Sequence, residues 1–350
     1  MNKTDDYAKK FADLMIKALE NETAPWIKPW KAGEVPSGPH NGITNRSYRG
    51  GNYMNLLLTQ LDKGYETSDW MTFKQIGEAG GKVKKGERGT SIQYWKSVEP
   101  SAEALAEDQN AKKRMQVFYF VVFNRDQCED LPEPKIQPHV PVEWRHEKCE
   151  SLMTNSGVAF NFDGGDRAFY RPNTDQIHMP SKAAFHSQDG FYATALHELG
   201  HSSGHKDRLN RDLSGKFGSE SYAKEELRAE IFSYLTGERL GIGHDPGQHT
   251  AYVKSWIKIL KNDPKEILRA CADAEKICTF LEIERYQELQ QEQAQSQDKQ
   301  EEIAAPVKPK AQRNAATKTV DPLAPEVLDA QIQEMKTRRK AREKELAVAL

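Results

Sequence analysis

The sequence predicts an α+β protein in two parts, a mixed α/β N-terminal domain followed by a mainly helical domain with a small sheet. Three observations lead there. Up to about position 127, short aromatic and β-branched runs alternate with Gly and Pro, the texture of strands and turns. A stretch with four prolines, at positions 132, 134, 138 and 141, then interrupts the chain. Beyond it the apolar residues fall mostly at helical spacing, apart from a strand-like stretch at 167–179.

Each element follows from its residues. Over 7–20, Phe11, Leu14, Met15, Ala18 and Leu19 share one helix face. The run 115–123, Met-Gln-Val-Phe-Tyr-Phe-Val-Val-Phe, is expected to be a buried strand, and the polar residues 101–113 before it a surface insertion. The N-terminal domain is assigned to 1–128. Residues 129–141 are assigned to an extended linker, because proline fixes φ and removes a donor. The second domain, 142–286, opens with a helix over 142–155, passes through the strand-like stretch and continues as helices from Phe191. Residues 287–350 are read as a charged low-complexity tail, disordered or a lone helix.

With 350 residues there is room for two cores, while 37% hydrophobic and 29% charged residues leave material for polar segments. The net charge of −2 neither demands nor excludes a polyanionic partner. No stretch approaches the roughly 18 apolar residues that cross a bilayer, so no membrane partner is expected. The first ten residues, with Asp5 and Asp6, lack the apolar core of a secretory signal. Cys128, Cys149, Cys271 and Cys278 show no CxxC spacing and are read as buried, reduced thiols, which suits a cytoplasmic location.

The sharpest local pattern is His197-Glu198-Leu199-Gly200-His201. Residues four apart lie one turn apart on one helix face, so both imidazoles can reach one Zn²⁺ or another divalent metal. Glu198 then sits beside the metal as a candidate general base. Phe191, Ala195, Leu196 and Leu199 give the helix an apolar side, and Asp189 is a plausible cap. A catalytic zinc needs a third protein ligand. Glu226 is the choice, with Glu230 one turn on as the carboxylate that orients a ligand imidazole. Glu225 or Glu230 as ligand, Asp207 through the pattern HxxGxxD, and His205 are the alternatives. Tyr170, Tyr192 and Tyr222 are candidates for a phenol that stabilises an oxyanion. The bland readings are two surface histidines on an ordinary helix, or a metal that only stabilises the domain.

Four of the six tryptophans, Trp26, Trp30, Trp70 and Trp95, lie in the first 100 residues among many Lys and Arg. Aromatic faces for bases beside cations for phosphates are what sequence-tolerant single-strand binding needs. Against this, residues 1–128 hold nineteen Lys and Arg to sixteen Asp and Glu, and tryptophans usually serve a core.

Several motifs together resemble the ArdC-type antirestriction proteins of conjugative plasmids. In the N-terminal half these are Pro25-Trp26 with Pro29-Trp30, Asn41, Tyr48-Arg49-Gly50-Gly51-Asn52, Trp70-Met71-Thr72-Phe73-Lys74-Gln75, Gly86-Glu87-Arg88-Gly89-Thr90 and Phe123-Asn124-Arg125-Asp126-Gln127. In the C-terminal half they are Tyr170-Arg171-Pro172-Asn173-Thr174-Asp175, Met179-Pro180, the HExxH with Gly204-His205, Arg208-Leu209-Asn210-Arg211, Phe217-Gly218, and Tyr222 to Leu227 with Ala229-Glu230. Tyr252, Ser255-Trp256 and Leu260 close the match, which runs over about 7–285. Gly51 departs from the family, which usually has a larger apolar residue there.

The resemblance implies a single-stranded-DNA-binding domain, also found in TraC-type primases, ahead of a zincin-like metallopeptidase domain. Trp30, Arg49, Asn52, Trp70, Lys74, Gln75, Lys84, Lys85 and Arg88 are the expected DNA contacts. Two functional classes stand side by side. One is a plasmid protein that coats single-stranded DNA and shields it from host restriction. The other is an active zinc endopeptidase cutting a host protein, such as a restriction component. A metal-dependent nuclease is disfavoured, because HExxH sites suit amide substrates.

Overall fold

A four-stranded sheet organises the N-terminal half. The computed structural model describes residues 2–26, 38–100, 113–134, 142–163, 165–242 and 252–283, without the side chains of 142–145. Helix α1 (Lys3–Glu20) starts where the Asn2 side chain accepts the Asp5 N–H, and buries Tyr7, Phe11, Met15 and Leu19. After strand β1 (His40–Asn41), helix α2 (Gly50–Lys63) stops at Gly64, whose φ of 68° is left-handed. Then come β2 (Asp69–Thr72), α3 (Phe73–Glu78), β3 (Lys82–Val83), β4 (Thr90–Val98), β5 (Arg114–Asn124) and β6 (Cys128–Glu129). The sheet order is β1-β2-β5-β4, with β1 parallel to β2 and the other pairs antiparallel. Strands β3 and β6 form a separate pair.

Two features depart from the sequence reading. Residues 115–123 are a strand, but not a buried one: Met115, Phe118, Phe120 and Val121 are exposed, and Val122 is buried with Leu56 and Trp70. The register explains it. Only Val122, Phe123 and Asn124 of β5 also pair with β2, so the rest of β5 runs on with β4 alone as a two-stranded extension. Trp70 sits in that same core at 0% exposure, so its ring is closed to a ligand. The outer edge of β4 is occupied too. Asn52 on α2 donates to the Gln93 carbonyl at 2.7 Å and accepts the Gln93 N–H at 2.8 Å, while Asn55 donates to the Ser91 carbonyl at 3.0 Å. Side-chain amides thus stand in for a neighbouring strand, one way to blunt a sheet edge.

The C-terminal half is mainly helical: α4 (Val142–Asn155), α5 (Gln188–Ser202), α6 (Glu220–Leu240), α7 (Val253–Asn262) and α8 (Glu266–Phe280). A small sheet of β7 (Ala159–Asn161), β8 (Phe169–Arg171) and β9 (Gln176–His178) is ordered β7-β9-β8, so β8 is an edge. Ser187 caps α5 by accepting the Gly190 N–H; Asp189, the expected cap, lies in the first turn and pairs with His146 at 2.8 Å. Ser219 caps α6, which ends at Gly241 with φ 71°. Helix α6 packs between α5 and α8. At Gly200 α5 approaches α6 closely: a Cβ there would lie 2.9 Å from Phe232 Cδ1 and 3.2 Å from Ala229 Cα.

The described residues fall in one compact unit. Helix α1 packs on α7 and α2 on α8, with Trp26 edge-on to Trp256 at a centroid distance of 6.1 Å. Polar contacts join the same faces. The Gly50 N–H donates to Glu275 at 3.0 Å, Arg239 pairs with Glu275 at 2.8 Å, and the Gly38 N–H donates to Glu238 at 2.8 Å. All four cysteines are buried, and none is in a disulfide. Among the described residues no helix is long and apolar enough to cross a membrane. Residues 101–112 of the insertion expected over 101–113, residues 135–141 of the linker expected over 129–141, and the tail over 287–350 lie outside the described residues, while Glu129, assigned to the linker, pairs with Lys82 in the β3–β6 ladder.

Candidate metal centre

His197 and His201 project from one face of α5 toward Glu226 on α6. The two Nε2 atoms are 3.1 Å apart, and the Glu226 oxygens lie 3.5 Å from His197 Nε2 and 3.4 Å from His201 Nε2. Metal bonds of roughly 2.0–2.1 Å at tetrahedral angles would separate two donors by about 3.3 Å. The three side chains therefore present the edges of a coordination polyhedron, and the donor set of two imidazoles and a carboxylate fits a divalent ion. Gly200 makes this possible, since a side chain there would hold α6 away.

The outer nitrogens of both rings face carboxylates. His197 Nδ1 is 3.2 Å from Glu230, which is wholly buried, and His201 Nδ1 is 3.4 Å from Glu225. An Nδ1–H held this way leaves Nε2 as the lone-pair nitrogen, the tautomer a metal requires. Glu225 is itself fixed by Arg211, whose Nε and Nη2 donate to its oxygens at 3.0 and 2.6 Å. Arg211 also donates to the Gly200 carbonyl at 2.7 Å and to Ser203 Oγ at 2.8 Å, which ties the carboxylate to the end of α5.

The electrostatics follow from this crowding. Burial disfavours charge on both imidazoles, but the facing carboxylates outweigh it. His197 is held well above its usual pKa by Glu226 and Glu230, and His201 is pushed up to about 9 by Glu226 and Glu225. Burial opposes ionisation of Glu226 as well, and the two rings reverse that, taking it well below the carboxylate range. Metal and protons thus compete for the same lone pairs. Glu198 differs. Burial raises its carboxyl, with only a partial offset from the histidines and from the Tyr170 backbone N–H. A carboxyl poised upward beside the ligands suits proton transfer.

A cleft of about 530 Å³ opens over these residues, lined among others by Phe169, Tyr170, Thr194, Tyr222 and Tyr252. Of the candidate phenols, Tyr222 lines the cleft beside Glu226 and Tyr252, and burial with the Glu226 charge drives it far above its usual pKa. Tyr170 is engaged elsewhere, donating to Asp175 at 2.7 Å and accepting from Arg208 at 3.1 Å. Tyr192 donates to Glu150 at 2.9 Å and accepts from Lys182 at 2.9 Å. Asp207 and His205 contact each other at 3.5 Å, and neither joins the group formed by His197, His201 and Glu226. The anchoring of Glu225 by Arg211 was not read from sequence; the available signal is an acid immediately before the candidate third ligand and an arginine ten residues after the second histidine.

The expected DNA contacts scatter. Arg49, Lys74, Lys84, Lys85 and Arg88 are exposed, the last three on the segment between β3 and β4. Lys84 donates to the Asp126 carbonyl at 2.8 Å. Gln75 closes a capping box with Thr72 and bonds Asn41, Asn52 holds the edge of β4, and Trp70 is core. Trp30 lies outside the described residues.

Comparison with known proteins agrees with this architecture. A model of the N-terminal domain of anti-restriction factor ArdC matches residues 5–123, and a zincin-like metallopeptidase model matches residues 147–273. A DNA primase TraC of Escherichia coli is 45% identical over 308 residues, covering 83% of this chain and 28% of the primase. The chain thus spans less than a third of that curated relative's length, and 19% of a second TraC primase. The uncharacterized protein y4eC of Sinorhizobium fredii is 32% identical over 288 residues, 81% of this chain and 93% of that protein. Crystal structures of the antirestriction ArdC protein from plasmid R388, metal-free and Mn(II)-bound, superpose with a TM-score of 0.63 at 33% identity, covering 79% of this chain and 96% of that one. Likeness that runs through both halves of a relative at this identity makes the chain a member of the ArdC-type antirestriction family.

Proposed function

We propose that this protein binds single-stranded DNA through its N-terminal half and shields incoming plasmid DNA from host restriction. Zn²⁺ or another divalent ion is held on His197, His201 and Glu226. One observation carries the reading: 96% of the antirestriction ArdC chain is covered at 33% identity, with the ArdC N-terminal domain matched over 5–123. The exposed cations Arg49, Lys74, Lys84, Lys85 and Arg88 supply charge for phosphates. The Mn(II)-bound form of that relative accords with a divalent ion on the donor set described above.

A second reading, a zinc endopeptidase acting on a host protein, is favoured by Glu198 and by β8. When bound, the ion supplies Lewis acidity. Glu198 holds a proton-accepting carboxylate at the cleft, and the Tyr222 phenol stands ready to donate to an oxyanion. Strand β8, an edge, offers backbone groups to an extended peptide lying across the cleft. Wild type and Glu198→Ala assayed side by side separate the two readings. DNA occupancy predicts that Glu198→Ala still protects DNA in a conjugation assay. Lost protection with unchanged DNA affinity assigns the function to the peptidase.

A further inference from the structure

We infer that single-stranded DNA stacks on one face of the β4–β5 hairpin, formed by Tyr94, Phe118 and Phe120 with Lys96 and Arg114. This rests on the proposal that the N-terminal half binds single-stranded DNA, and it locates the contact. Residues opposite each other in an antiparallel ladder share a face. Tyr94 lies opposite Phe118, and Ile92 opposite Phe120, so the three rings stand on the same side. Tyr94 and Phe120 meet edge to face with centroids 6.1 Å apart. Their exposures, 53% for Tyr94, 37% for Phe118 and 49% for Phe120, leave ring surface open to solvent. A contiguous exposed patch of this kind marks a binding surface.

Charge selects the occupant. Neither β4 nor β5 contains an Asp or a Glu, whereas Lys96 and Arg114 fall on the same face as the rings. Glu99, just past β4, is paired with Lys113 at 2.6 Å. An apolar platform edged by cations and free of carboxylates suits a polyanion with flat apolar units. Spacing selects the strandedness. Residues two apart on a strand are roughly 6.6 Å apart, so Phe118 and Phe120 stand about twice as far apart as the 3.4 Å rise between duplex bases. Bases must unstack to reach successive rings, which a single strand does readily and a duplex does not. Because every base has a flat face, recognition here is tolerant of sequence.

The test uses the full chain and a labelled oligo-thymidylate of about 20 nucleotides, with a duplex of equal length as comparison, read by fluorescence anisotropy. Threonine replaces the rings because it retains strand propensity, and thermal melting of each variant monitors folding. Tyr94→Thr, Phe118→Thr and Phe120→Thr should each weaken single-strand binding roughly five- to hundredfold, while Trp95→Thr on the opposite face should stay within about twofold. Lys96→Gln and Arg114→Gln should each reduce the slope of log affinity against log salt by about 0.7. A wild-type chain that binds no single strand removes the proposed function itself. A wild type that binds while all three ring variants bind equally well overturns only the hairpin assignment. So does a change of oligomeric state in the ring variants at constant DNA affinity, which would make this face a self-association surface. As a measurement on the unmutated chain, photocross-linking with an iododeoxyuridine oligonucleotide should label Tyr94, Phe118 or Phe120. Label confined to the Lys84–Arg88 segment would refute the assignment.

Discussion

Adding one methyl group at Gly200 tests whether the ligand set depends on how closely α5 and α6 approach. The new Cβ would sit 2.9 Å from Phe232 Cδ1, 3.2 Å from Ala229 Cα and 3.3 Å from Ala229 Cβ. Carbon atoms normally rest at roughly 3.5–4.0 Å, so the helices must part by several tenths of an ångström. Overpacking of this kind costs about 1–3 kcal/mol. The same change gains up to about 1 kcal/mol of helix propensity. Gly51→Ala separates the two effects, because at that helical position a Cβ meets only Leu268 at 3.6 Å and Phe11 at 3.8 Å, ordinary contact distances. Gly51→Ala is therefore expected to stabilise the fold, and Gly200→Ala to fall about 1–3 kcal/mol below it in urea unfolding without metal. Because α6 carries Glu226, parting the helices should also weaken Mn(II) binding about tenfold or more by calorimetric titration. If Gly200→Ala stabilises as much as Gly51→Ala and binds Mn(II) like wild type, that glycine does not set the ligand geometry.

Further expectations concern the same centre and one distant pair. Glu226→Gln should abolish measurable Mn(II) or Zn²⁺ binding while far-ultraviolet circular dichroism stays unchanged. Glu225→Gln and Glu230→Gln should retain binding weakened roughly 10- to 100-fold, as expected for residues that act through a ligand imidazole. Adding metal at about 100 times its Kd should stabilise the protein by about 2.7 kcal/mol, reversed by a chelator and visible as a shift in melting temperature. The buried pair of His40 and Asp69, 2.7 Å apart, sets a pH window. The hydrogen bond from His40, with that from Arg125, lowers Asp69, so its contribution is present above the usual carboxylate pKa and lost as pH falls through the depressed value. Burial opposes charge on His40, but Asp69 outweighs it and the pKa is raised. That contribution is full below about 6.5 and lost as pH rises through the raised value. Asp69→Asn should flatten both limbs of stability against pH in urea titrations; unchanged limbs would show that the pair does not govern them.

The grouping of His197, His201 and Glu226 into a candidate metal site was legible because its logic is local. HExxH places two rings on one turn, and carboxylates four apart on an amphipathic segment supply both Glu226 as candidate ligand and Glu230 behind His197. The chain position of Glu225 does not tell which way it points, and only the packing of α6 and the reach of Arg211 turn it onto His201 Nδ1. The N-terminal surface was harder to read. Trp70 and Tyr94 look alike in composition, yet one lies under Leu56 and the other on a two-stranded extension. A continuous apolar run usually means a strand buried on both faces. In β5 it does not, because β2 is too short to continue the sheet alongside it. Asn52 is similarly deceptive, since a polar residue beside Arg49 suggests a ligand contact while its amide completes a strand edge.

The seam where Trp26 meets Trp256, and where Glu275 receives the Gly50 amide, has a practical consequence for dissecting this molecule. A cut after β6 would strip α1 and α2 of their apolar cover and leave Trp256 bare, so the severed pieces should be poorly soluble. The intact chain should unfold in one cooperative transition, and an ion bound between α5 and α6 should protect the N-terminal strands from proteolysis at a distance.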